Sequence, residues 1–167
     1  MSKLKSEIAQ RRPFASAAEE ALLNLMRTAD CVERAFQRAT RPWGITSTQY
    51  NALRILRGAH PEGLTCSAIG ERMVTAVPDI TRLLARLKAR QLIRQHRDRR
   101  DRRVLWTHIS EAGLALLGEM DGLITRMPAE LLGHITEGEV GELIRLLEAA
   151  RSGTSAGPTC DGDEDHG

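Results

Sequence analysis

No apolar run in this 167-residue chain approaches the length needed to span a bilayer. The first twelve residues, Met1 to Arg12, also lack the apolar stretch of a secretory leader. A soluble cytoplasmic protein without membrane contact is therefore expected. Cysteine is scarce: Cys31, Cys66 and Cys160 lie far apart, in no metal-ligand spacing. An odd, sparse set of this kind argues against a disulfide framework and suits a reducing compartment. No Ser/His/Asp arrangement, Gly-rich phosphate loop or metal-ligand pair is present, so no enzyme, cofactor or metal is expected. The acidic tail Asp161-Gly162-Asp163-Glu164-Asp165-His166-Gly167 echoes the start of a calcium loop. It departs from one because Gly is displaced from the sixth position and no bidentate Glu follows at the twelfth. Cys160 and His166 are read as parts of a solvated tail, while His60, His96, His108 and His134 share no motif.

Charge is present in quantity and is unevenly placed. The formal net charge is only +2, yet Asp79 to Arg103 holds ten Arg or Lys against three acids. The chain after this segment is acidic. Clustered basic charge on one segment points to a single phosphate-facing surface rather than general stickiness, because phosphates attract such a surface whatever the base sequence.

Five regions follow from the pattern. Residues 1–13 form a basic N-terminal arm ending in Arg11-Arg12-Pro13, and residues 14–42 a first long helix. Ser16 and Glu19 have capping-box spacing, and Leu22, Leu25, Met26, Ala29, Val32 and Phe36 continue at helical spacing to about Arg38. A stripe that long needs a partner. Pro42-Trp43-Gly44 breaks the chain, and residues 43–110 form a second region. Within it, Thr46 and Gln49 form a second capping box over a short helix with Tyr50, Leu53 and Leu56 inward, ended by Gly58 and Pro61. Thr65 caps a third helix with Ala68, Ile69 and Met73 inward. Pro78 is placed in the first turn of the next helix, which buries Ile80, Leu83, Leu84 and Leu87 and turns Asp79, Arg82, Arg86 and Arg90 outward.

Two short helices joined by a tight turn, the second apolar on one side and Arg-rich on the other, describe a helix-turn-helix. Leu92 to Arg97 and Val104 to Ile109 then read as a β-hairpin whose loop is the charged run Asp98-Arg99-Arg100-Asp101-Arg102-Arg103. Trp106, on the strand face of Val104, is expected to pack against the helices. The fold class is mainly α with a small β-hairpin wing: a winged helix-turn-helix plus N- and C-terminal dimerisation helices. Those at the C-terminus occupy residues 111–152, with a face of Leu114, Leu117, Met120, Ile124 and Met127 reaching Pro128. A third capping box, Thr136 with Glu139, is followed by Val140, Leu143, Ile144 and Leu147. Residues 153–167 read as a disordered acidic tail.

Three segments resemble the MarR family of bacterial transcriptional regulators: Thr46 to Leu56, Thr65 to Leu92 and Arg97 to Leu117. The last is the most specific, with Asp101-Arg102-Arg103 closing a wing and Ser110-Glu111-Ala112-Gly113 opening the next helix. The resemblance implies a homodimer that binds an inverted-repeat operator in double-stranded DNA. It implies that the helix from Val77 to Arg90 enters the major groove, placing Thr75, Val77, Pro78, Asp79, Thr81, Arg82 and Arg86 near its reading end. Arg82 and Arg86 suit guanine edges or phosphate, and Asp79 would orient Arg82.

In the wing, Arg103 matches the arginine that enters the minor groove and Asp101 the acid that holds it; Arg102 lies between them. Arg99 and Arg100 depart from the family pattern, in which a Pro and a variable residue are common. The resemblance further implies repression relieved by a small effector, of the aromatic or phenolic kind, with Trp43, Tyr50, Arg54, His60 and Cys31 as candidate pocket residues. A winged-helix protein-interaction module without operator binding, and a redox-responsive repressor using Cys66 or Cys31, are the alternatives.

Overall fold

The computed structural model describes residues 3–153, and Cys160, His166 and the acidic run after Asp161 lie outside them. The chain divides into two units, residues 1–125 and 126–167. It is mostly helical, with a small antiparallel sheet.

The N-terminal arm is not wholly irregular. Helix α1, Lys3–Glu7, buries Leu4, and Glu7 pairs with Arg27 of the next helix. That helix, α2, Ala17–Thr40, starts at Ser16, whose hydroxyl accepts the Glu19 amide. The Glu19 carboxylate takes the Ala15 amide, one residue outside the expected capping box. The predicted stripe lies largely open: Leu22 is 58% and Met26 61% exposed, and Leu25 and Val32 are exposed as well. Only Phe36, near the far end, packs on the core, tilted against Tyr50 at a centroid distance of 5.2 Å. After a single 3-10 turn, Arg41–Trp43, helix α3 spans Ser47–Gly58 with both halves of the Thr46–Gln49 capping box formed.

Strand β1, Leu64–Thr65, is an element that sequence periodicity does not reveal, since two residues are too few to show alternation. Helix α4, Cys66–Glu71, begins on the Thr65 hydroxyl, and helix α5 spans Ile80–Ala89. Helix α5 starts later than the sequence suggests. The Asp79 carboxylate accepts the Arg82 amide at 2.7 Å, so Asp79 is the N-cap and Pro78 precedes the helix instead of entering its first turn.

Strands β2, Ile93–Arg97, and β3, Leu105–Ile109, form the wing, and the sheet order is β1-β3-β2. Thr107 lies opposite both Leu64 and Gln95, and Ile109 opposite Ile93. The inward face of β3 is therefore Thr107 and Ile109, both buried. This corrects the expectation for Trp106, which falls on the other face and stands outside the core cluster. The core itself gathers Leu53, Leu56, Ile69, Leu84, Leu87, Leu117 and Met120, all at most 1% exposed.

Helix α6 spans Glu111–Leu132 and passes through Pro128, beyond the end that the sequence pattern predicts. Proline forfeits one internal bond and can kink a helix without ending it. In the second unit, helix α7, Glu137–Ser152, opens on a complete Thr136–Glu139 capping box and exposes Leu143, Ile144 and Leu146.

Ser110 joins three elements. Its hydroxyl donates to the Gln91 carbonyl at 2.7 Å and accepts the Gly113 amide at 3.1 Å, while its own amide reaches the Leu92 carbonyl. Gly113 is required there: a Cβ would stand 2.3 Å from the Leu92 oxygen. Helix α5 ends in a Schellman arrangement, with the Gln91 amide on the Lys88 carbonyl and the Leu92 amide on the Leu87 carbonyl. Gln91 occupies the left-handed position of that motif at φ 59°. Glycine has no Cβ penalty in this conformation. Gln91→Gly should accordingly stabilise the fold by about 0.5–1 kcal/mol; urea unfolding measures it, and a lowered midpoint would refute the strain at this position.

Candidate nucleic-acid interface

The basic segment folds into two adjoining devices, helix α5 and the wing. On α5, Leu83, Leu84 and Leu87 are buried, which turns Thr81, Arg82 and Arg86 to solvent. Arg82 and Arg86 are four residues apart and so occupy one face. Thr81 lies against α4, its hydroxyl 3.9 Å from Cys66 Sγ. Thr75 and Pro78 are exposed in the turn before the helix, and Val77 is half-buried against the core. Asp79 organises the start of α5 through the backbone amide of Arg82, with no ion pair to its guanidinium.

The wing tip is built on two carboxylates that accept main-chain amides. Asp98 Oδ1 accepts the amides of Arg100 (2.7 Å) and Asp101 (3.0 Å), and its Oδ2 accepts the indole N–H of Trp106 (3.1 Å). Asp101 Oδ1 then accepts the amide of Arg103 at 2.9 Å. Turns of this kind use the short Asp side chain as a mimic of a backbone carbonyl. Arg97 closes the loop by donating from Nη1 to the Arg102 carbonyl at 2.6 Å. The tip is thus held by backbone bonds, leaving the guanidinium groups of Arg99, Arg100, Arg102 and Arg103 exposed. Among the described residues these four, with Arg82 and Arg86, make no intramolecular ion pair.

Charge counting gives Asp98 no role of its own, although an Asp two and three residues ahead of turn amides is a legible signal. The amides of Asp101 and Arg100 and the Trp106 indole hold the Asp98 carboxyl below its ordinary value. Arg90, grouped by periodicity with Arg82 and Arg86, has a different task. Its guanidinium donates to the carbonyls of Gly44 (2.7 Å) and Trp43 (3.0 Å).

Of the five candidate pocket residues, Tyr50 and Arg54 lie one turn apart on α3, where the Arg54 charge acts on the Tyr50 phenol. Tyr50 is buried in the core, where burial raises its phenol pKa, and Cys31 is exposed on α2. Trp43 is half-buried and donates from Nε1 to Glu119. Arg54 borders one cleft of about 330 Å³ with Asn51, Ile55, Arg72 and Val74. His60 borders another, of about 300 Å³, beside His96 and His108. Among the described residues, no group of three or more His, Cys, Asp or Glu side chains is placed to hold a metal ion. Nor is any helix there long and apolar enough to cross a membrane.

A MarR transcription factor from Planctomyces limnophilus is 37% identical to this chain, with a TM-score of 0.64 over 82% of this chain and 99% of its own. The chain belongs to the MarR family. The MarR family model matches residues 43–104, which run from Trp43 through the wing tip. The HTH-type transcriptional regulator TtmR of Methylorubrum extorquens is 34% identical over 90 residues, covering 54% of this chain; the match spans 45% of that relative's length. A mutant MarR from E. coli, solved in complex with operator DNA, shares the fold at a TM-score of 0.70 and 21% identity, over 89% of this chain and 99% of its own.

Because the Asp98 carboxyl titrates below its ordinary value, its hold on this MarR-family wing is complete above the usual aspartate pKa of about 3.9. The hold is lost as the pH falls through the lowered value. In Asp98→Ala, the amides of Arg100 and Asp101 should exchange hydrogen faster at neutral pH while the core amides keep their protection. Unchanged exchange at both positions would show that the carboxylate does not organise the tip.

Proposed function

We propose that this chain is a dimeric, sequence-specific DNA-binding transcriptional regulator, a repressor released by a small ligand. The observation that carries the reading is the set of six exposed arginines, Arg82 and Arg86 on α5 and Arg99, Arg100, Arg102 and Arg103 on the wing, with no acid pairing them among the described residues. An α-helix fits the major groove, where Arg reads guanine bidentately. An arginine at a wing tip suits the concentrated negative potential of a narrow minor groove. Arg103 is assigned the minor groove, with Asp101 fixing its backbone. Arg99, Arg100 and Arg102 are assigned to phosphate, Thr75, Val77, Pro78 and Thr81 to the approach of α5 to the groove, and Asp79 to holding its first turn.

Dimerisation is supported by large apolar side chains left in water, Leu22 and Met26 on α2 and Ile144 and Leu146 on α7. Two copies related by a two-fold axis call for an inverted repeat with half-sites about one helical turn apart. The operator bound by the E. coli mutant supports the same reading. For the ligand, the cleft beside Arg54 and Arg72 combines cationic and apolar walls, chemistry that suits an aromatic carboxylate or phenolate.

Selection of duplexes from genomic fragments with the purified protein should enrich an inverted repeat; recovery of none would favour a protein-interaction module. On the enriched duplex, Arg103→Ala should weaken binding by on the order of 1–3 kcal/mol, with the dimer intact by sedimentation. Arg99→Ala and Arg100→Ala should each lower the log–log salt slope by roughly one for every phosphate the variant no longer neutralises. Full affinity in Arg103→Ala would remove the minor-groove assignment.

A further inference from the structure

Helix α5 is fastened at the end opposite its Asp79 cap. The Arg90 guanidinium, at its C-cap, donates to the carbonyls of Trp43 and Gly44. Those carbonyls sit where α2 ends: α2 runs into the 3-10 turn Arg41–Trp43, and Gly44 leaves that turn in the left-handed region at φ 63°. The same Trp43 then donates its indole N–H to Glu119 Oε2 of α6 at 3.1 Å, a bond between residues 76 apart in the chain. One residue therefore ties the C-terminal end of α5 to the end of α2 and to the middle of α6.

We infer that Trp43, Arg90 and Glu119 form a brace that sets the orientation of α5 for base reading, with Trp43 and Glu119 as positioning residues that touch no DNA. The inference rests on the DNA-binding reading above and deepens it. Bidentate contact of an Arg with a guanine edge requires the helix to be held in a defined orientation, whereas phosphate contacts carry no sequence information and tolerate change. A loosened brace should therefore cost specific binding and spare non-specific binding. Charge alone predicts otherwise. Replacing Glu119 removes a negative charge and would by electrostatics strengthen attachment to DNA on any sequence. Trp43→Phe removes the indole donor, together with part of a ring that packs on the core, and leaves the charge unchanged.

The test is a fluorescence-anisotropy titration of full-length wild type, Trp43→Phe, Glu119→Ala and the double variant. Each is measured at one salt concentration on the inverted-repeat duplex selected by wild type and on a scrambled duplex of equal length. Trp43→Phe should bind the selected duplex roughly five- to tenfold more weakly, a change at the low end of couplings between sites, with unchanged affinity for the scrambled one. Glu119→Ala should lower the specific-to-scrambled ratio by the same factor, while its lost charge favours both duplexes. The double variant should be no weaker than the single ones, since both remove the same bond. A specific-to-scrambled ratio equal to that of wild type in both single variants would overturn the brace, as would a parallel weakening on the two duplexes, which marks general destabilisation. Wild type with no preference between duplexes would instead overturn the DNA-binding reading itself, and the brace with it.

Discussion

Five arginines lie within the seven residues from Arg97 to Arg103, and their mutual repulsion is the constraint to which the wing is built. Two acids accompany them, and neither is used to neutralise a guanidinium. Asp98 and Asp101 turn their carboxylate oxygens onto main-chain amides and the Trp106 indole, so that the loop is shaped by hydrogen bonds to its own backbone. The negative charges still lower the local potential, which eases the crowding. The heads of Arg99, Arg100, Arg102 and Arg103 stay unpaired and in water, where an ion pair would have contributed little stability and would have competed with an external anion. A tip of this design holds its shape without an anion and retains its attraction for one.

Strand β3 carries that shape into the body of the lobe. It is the central strand, paired with β1 on one side and β2 on the other. Its inward residues, Thr107 and Ile109, enter the core. On its other face Trp106 reaches back to Asp98, and His108 stacks on His96 with Nδ1 at 3.0 Å from the Pro61 carbonyl. Ser110, immediately after β3, bonds the end of α5 to the start of α6. Helix α5 and the wing are consequently fixed to one frame by a few polar contacts. Arg57, bonded through Nη1 to both oxygens of Asp121, adds a tie between α3 and α6.

This division of roles separates residues that hold from residues that remain free. Arg90, Arg97 and Arg57 are occupied by carbonyls or a carboxylate within the chain. Arg82, Arg86 and the four tip arginines are not. Sequence position does not distinguish the two groups, since Arg86 and Arg90 are four residues apart on the same helix face. Membership in the MarR family fits a surface organised in this way, and likeness to the operator-bound E. coli mutant places the same lobe architecture in a protein solved with DNA.

Much of this protein was determined by short-range rules that can be read directly. Leu83, Leu84 and Leu87 required an inward face on α5. Thr46 with Gln49 and Thr136 with Glu139 marked helix starts that formed as spaced, because a cap depends on only four consecutive residues. The clustering of basic charge and the wing motif were equally local. What depended on distant partners was not legible. β1 exists because β3 offers it an edge, and Trp106 faces away from the core because register, not alternation alone, sets which residues point inward. Asp79 caps α5 where Pro78 suggests an earlier start, and α6 runs past Pro128. The sequence by itself determined how much positive charge there would be and where along the chain. Only the tertiary structure decided which arginines would be free, because the carbonyls of Trp43, Gly44 and Arg102 that engage Arg90 and Arg97 are placed by the fold.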